Sequence, residues 1–236
     1  MTTRAVEISP LVYARVAGLL YLTMVPLGFF GNYGHANLVV PGDVATTVNN
    51  IMASASLFRL SIMSALLVQI VNIFLVLVLY ELLKPVNKYH AVLMVVFFLV
   101  SVPVTMLNEL NQFAALLLLS GANYLTVFEA GQLQAQAMLF LGLHEYGIKI
   151  AGLFWGLWLF PMGYLVFRSG FLPWILGVLL VIGCFGYLID SIAFFYFPSF
   201  ESILLYTFWG ELLLPLWLLF KGVNVEQWQK RALEHA

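Results

Sequence analysis

The sequence predicts an all-α fold: a polytopic transmembrane bundle of six helical spans with both termini in the cytoplasm. Three observations predict it. Of the 236 residues, 63% are hydrophobic and only 9% charged, with a mean hydropathy of +0.99. A soluble domain carries about 25% charge, so this chain lacks the polar surface to face water all round. Apolar runs of about 18–25 residues, the length that crosses a bilayer as helix, recur along the chain. The basic residues gather in alternate connections. A net charge of −1 gives no case for nucleic acid as a partner, which leaves the lipid bilayer. The single cysteine, Cys184, excludes an internal disulfide and reads as a small buried hydrophobe.

One transmembrane domain over 1–236 accounts for the pattern, with spans at about 12–30, 57–83, 91–119, 138–167, 171–197 and 202–220. The first could pass for a secretory signal, because Arg4 and Arg15 precede or open an apolar run. That run continues to Phe30 with bulky aromatics and no small-residue cleavage site, so it reads as a retained helix. Residues 31–50 are rich in Gly, Asn and Thr, with Pro41-Gly42-Asp43 as a turn signal, and read as an outer loop able to fold over the bundle mouth. Lys84-Pro85-Val86-Asn87-Lys88 and Arg168-Ser169-Gly170 are tight connections between antiparallel neighbours. The tail from Asn224 reads as a short amphipathic or frayed helix.

Orientation follows from charge. Arg4, Arg15, Lys84, Lys88, Arg168, Lys221, Lys230 and Arg231 fall on one side of a six-span layout, eight of the ten basic residues. The positive-inside rule puts that side in the cytoplasm. Arg59 and Lys149 are the exceptions.

The stretch Asn108-Glu109-Leu110-Asn111-Gln112 interrupts an apolar helix with four polar side chains that cannot face hydrocarbon cheaply. Counted at about 1.5 Å per residue from the cytoplasmic ends, Asn108 and Glu109 stand roughly 26 Å up, Lys149 and Asp190 roughly 28 Å, and Arg59 roughly 33 Å. His144 and Glu145 lie about a turn further out, and His35 hangs in the first loop. Glu211 stands roughly 15 Å up, near the midplane. These heights suggest a shared polar layer near the outer edge of a ~30 Å hydrocarbon core. The alternative is that the groups snorkel at the outer headgroup boundary. Against it, Glu145, Lys149, Gly152, Gly156 and Gly163 share one stripe, as do Gly183, Gly186 and Asp190. Small residues let membrane helices approach closely, so these stripes should face other helices.

Charge accounting leaves an excess of carboxylate: Arg59 and Lys149 against Glu109, Glu145, Asp190 and Glu211. A buried excess acid must be protonated or meet a cation. The reading without function is that Glu145–Lys149 at i, i+4, and Arg59 with Glu109 or Asp190, are ion pairs that fix packing. No Walker motif, dinucleotide fingerprint, nucleophile elbow or zincin motif occurs, so whether the protein is an enzyme stays open. His35 and His144 do not make a bis-histidine haem site, and no spacing marks a metal site, so no cofactor is expected.

Several stretches together resemble a family of uncharacterised bacterial six-span membrane proteins, domain of unknown function 4386. They are Ala14-Arg15-Val16-Ala17-Gly18-Leu19-Leu20-Tyr21, the run from Gly156 to Val166, Arg168-Ser169-Gly170-Phe171-Leu172-Pro173, Gly186-Tyr187-Leu188-Ile189-Asp190, and Gly210-Glu211 with Lys221-Gly222-Val223. The resemblance implies the six-helix layout and a bacterial cytoplasmic (inner) membrane, and no activity.

The residues favour a protein that binds a small molecule or ion in an outward-facing polar cavity, as a transporter does. Arg59, Glu109, Glu145, Lys149, Asp190 and Glu211 would bind or relay protons, and Asn108, Asn111, Gln112 and His144 would supply hydrogen bonds. Two rivals stand: an intramembrane enzyme doing acid–base chemistry on a lipid or isoprenoid, and a non-catalytic accessory subunit of a membrane complex.

Overall fold

The computed structural model describes residues 9–197 and 199–234, so Arg4 of the orientation argument lies outside it. Among the described residues the regular structure is helical, with no strand. The helices are α1 Pro10–Leu38, α2 Val44–Ala53, α3 Ala55–Leu83, α4 Lys88–Leu118, α5 Ala130–Ser169, α6 Trp174–Tyr196, α7 Leu204–Thr207, α8 Trp209–Phe220 and α9 Val225–Glu234. Five of them (α1, α3, α4, α5 and α6) are long and apolar enough to cross a membrane. At 40 residues α5 is roughly 60 Å long, about twice the hydrocarbon thickness.

The sixth predicted span is broken. Phe208 separates α7 from α8, and the Thr207 hydroxyl there bonds to the carbonyls of Ile203 and Leu204 without displacing the Phe208 N–H from the Leu204 carbonyl. Gly222, at φ +70°, then ends the segment in a conformation that favours glycine, and α9 departs at 104° to it.

The predicted loop over 31–50 is corrected as well. α1 runs on to Leu38, and α2 fills Val44–Ala53. The glycines that suggested a loop serve close packing. A Cβ at Gly31 would come within 3.1 Å of the Ala65 backbone on α3, and one at Gly34 would overlap the Ser61 hydroxyl. The turn signal itself holds. Gly42 sits at φ +78°, and Asp43 caps α2 by accepting from the Thr46 N–H at 2.9 Å.

The chain packs as two compact units. The first comprises Met1–Thr23, Asn72–Ser101 and Gly152–Ala236; the second comprises Met24–Val71 and Val102–Ala151. Glycine contacts hold the first unit together. A Cβ at Gly163 would lie 2.7 Å from the Gly177 carbonyl oxygen, and one at Gly177 would lie 2.5 Å from the Phe167 nitrogen. Gly156 meets the Cys184 carbonyl, so the small-residue stripe of α5 does face α6. On the far side of that unit, Gly18 of α1 lies against the backbone of α8 at Leu219.

The second unit has an apolar cluster instead. Leu38, Ile51, Phe58, Ile62, Ala115, Leu116, Ala137 and Leu141 are all buried together. α2 contributes Ile51, fully buried, whose removal from solvent is worth about 1.5–3 kcal/mol. That contact is what converts the expected loop into an ordered helix.

Candidate functional site

Within the second unit, α4 presents Asn108, Glu109 and Gln112 to α5. Their exposures are 7%, 2% and 1%, and His144 of α5 is 6% exposed. A group snorkelling at a headgroup boundary keeps its charged tip in water, so these four are held inside the protein. Glu145, the next residue round the helix, does face outward, and so does Arg59 of α3.

The register of α4 against α5 rests on one close approach. Asn108 Nδ2 donates to the His144 carbonyl at 2.9 Å, and Asn111 Nδ2 donates to Asn108 Oδ1 at 2.9 Å. A side chain at Gly147 would overlap the Asn108 amide, so the glycine keeps this bond open. His144 is thereby aimed at Glu109 and Gln112. Gln112 Nε2 donates to Glu109 Oε2 at 2.7 Å and lies 3.0 Å from His144 Nε2, which is itself 3.3 Å from Glu109 Oε1.

His144 Nε2 cannot serve both neighbours at once. Unprotonated, it accepts from the Gln112 amide; protonated, it donates to Glu109. The position of one proton therefore selects between two hydrogen-bond patterns in a buried triangle.

A second histidine extends the chain of titratable groups. His35, near the end of α1, packs against His144 with ring centroids 5.1 Å apart and the rings tilted by 39°, and its Nε2 lies 3.0 Å from Glu145 Oε1. Side-chain exposure falls along the series: 49% for Glu145, 14% for His35, 7% for His144 and 3% for Glu109. Ionisable groups thus run in steps from solvent to a buried carboxyl.

Three buried atoms of this cluster have no hydrogen-bond partner among the described residues: His35 Nδ1, His144 Nδ1 and Gln112 Oε1. A buried polar atom left unpaired costs about 1–3 kcal/mol, so native folds rarely keep several together. Among the described residues, no three His, Cys, Asp or Glu side chains stand close enough to hold a metal ion.

The remaining predicted residues have partners elsewhere or none of this kind. Lys149 is half-buried on α5, one turn beyond Glu145. Arg59 forms no ion pair among the described residues, so its expected pairing with Glu109 or Asp190 is corrected: Glu109 meets His144, and Asp190 has neutral partners. Asp190, in the first unit, accepts from the Ser202 hydroxyl and from the Ile203 N–H at 2.9 Å. Glu211, in the same unit, accepts from the Tyr21 hydroxyl at 3.2 Å and is also bonded by Tyr187. Hydroxyls and a backbone amide thus partner acids for which charge accounting called for protonation or a cation.

Sequence reasoning placed His35 in a loop and omitted it from the site. The signal was present in Gly31 and Gly34, small residues that pack on α3 and carry the first helix past Phe30 to His35. The tyrosine partners of Glu211 leave no local signal.

Long apolar helices around a buried polar cluster define a multi-pass helical membrane protein. Residues 16–222 match the family described as Domain of unknown function (DUF4386), and the chain belongs to it. It is also similar to an uncharacterized protein of Archaeoglobus fulgidus, at 30% identity over 169 residues that cover 71% of this chain and 86% of the relative. No solved structure matches the chain.

Proposed function

We propose that this protein binds a small polar solute in an outward-facing cavity within the membrane, linked to a proton, as a transporter does. The observation that carries the reading is the set of unpartnered buried atoms beside the His144–Glu109–Gln112 triangle. A solute with both donor and acceptor groups would satisfy Gln112 Oε1 and the histidine nitrogens. In doing so it would favour one of the two positions of the shared proton. The series Glu145–His35–His144–Glu109 supplies a route for that proton from solvent. Asn108 and Asn111 hold the triangle in register. In this reading the basic connections lie inside, and both termini are cytoplasmic.

The test is thermal stabilisation of the purified protein by a panel of amino acids, sugars, nucleosides and polyamines. A stabilising solute should lose its effect in Glu109→Gln and in Gln112→Leu. If it protects both variants as well as the natural protein, the cluster is not where it binds.

A further inference from the structure

The first unit contains a second feature, unrelated to the buried cluster. A cavity of about 650 Å³ opens between the start of α1, the α3–α4 turn and α9. Tyr13, Tyr80, Lys84, Asn87, Lys88 and Trp228 supply most of its polar and aromatic lining. Its charged groups are Glu81, Lys84 and Lys88, a net excess of one positive charge.

α9 forms one wall and is fastened by two side chains. Trp228 Nε1 donates to the Leu82 carbonyl at 2.8 Å, and the Arg231 guanidinium donates to the Arg168 carbonyl at 3.3 Å. Trp228 and Ala232, one turn apart, face the cavity, whereas Leu233 is 81% exposed. A helix with Trp228 and Ala232 on one side and charges of both signs on the other, turned 104° from the segment before it, has the character of one that lies along a membrane surface.

We propose that this cavity is a site for a phosphate-bearing anion, the headgroup of an anionic lipid. Lys84 holds Glu81 at 2.5 Å and lies 5.7 Å over the Tyr80 ring, so its ammonium is fixed at the cavity wall. Lys88 is exposed and forms no ion pair among the described residues, which leaves its charge for a ligand. Lysine binds phosphate as a point charge, and tyrosine hydroxyls add donors. The apolar part of the lining suits a glycerol backbone and the start of an acyl chain. Tyr and Trp at this depth match the aromatic belt of membrane interfaces. The basic residues that rim this end of the unit attract anionic lipid in the same sense.

The test is native mass spectrometry of the full-length protein from mixed micelles of phosphatidylglycerol and phosphatidylcholine, repeated with inorganic phosphate. Selective retention of phosphatidylglycerol, reduced about tenfold in Lys84→Gln/Lys88→Gln and unchanged in Lys230→Gln, is the expected result. Lys88→Glu, at an exposed position, gives the same readout should the double variant fail to fold. Displacement of the lipid by inorganic phosphate would show that the site takes the free anion as well. Equal retention of both lipids, or retention indifferent to the lysine changes, would overturn the proposal.

Discussion

The two units use buried carboxyls in opposite ways. In the first, Asp190 and Glu211 have their oxygens met by hydroxyls and a backbone N–H, all from the same unit. In the second, Glu109 sits in a triangle where His144 Nε2 either accepts from Gln112 or donates to Glu109, and beside it three polar atoms have no partner among the described residues. A satisfied buried acid holds helices together; an unsatisfied cluster is kept for something that comes and goes. The difference also shows why counting charges misleads here. The excess of acid over base that marked all four carboxylates as candidates treats Asp190 and Glu109 alike, although neutral donors suffice for one.

The comparison can be broken by substitution. Asp190→Ala leaves the Ile203 N–H and the Ser202 hydroxyl without an acceptor, and should cost about 1–3 kcal/mol of stability. Glu109→Gln keeps the shape and a hydrogen-bonding oxygen, and should cost less while removing the solute response. Thermal melting of both variants in one detergent checks this. If Glu109→Gln is the more destabilising, the assignment of structure to one acid and binding to the other is reversed.

A smaller effect concerns α2, which supplies Ile51 to the apolar cluster of the second unit. The Thr46 hydroxyl and N–H donate to Asp43 and hold its carboxyl below its usual range. A depressed folded-state value means that the cap is at full strength above the ordinary carboxylate range and is lost as pH falls through the lower folded value. Amide exchange in α2 should therefore quicken on acidification, and Asp43→Asn should keep the cap while removing that dependence. Acid-quickened exchange that persists in Asp43→Asn would place the titrating group elsewhere.

Much of this was legible in the sequence, for identifiable reasons. Hydropathy alone defines five membrane helices because a bilayer demands uninterrupted apolar length. The polar run at 108–112 announced itself because four such side chains cannot sit in hydrocarbon. The break in the sixth span was hidden, since the apolar run carries no mark at Phe208. α2 and the extension of α1 were hidden too. Glycine in sequence signals a loop, and only the approach of Ala65 and Ser61 shows that Gly31 and Gly34 are helix contacts. Arg59 looked like the natural partner of Glu109 by height and sign, yet His144 fills that place because Asn108 pins its backbone carbonyl.

The most direct test of the proton-linked site is calorimetry with a solute that stabilises the protein, in two buffers of different ionisation enthalpy. If filling the site makes the His144–Glu109 pair take up or release a proton through His35 and Glu145, the binding heat should differ between the buffers. That difference should vanish in His144→Gln. Identical heats in both buffers for the natural protein would contradict the account, because binding would then exchange no proton with solvent.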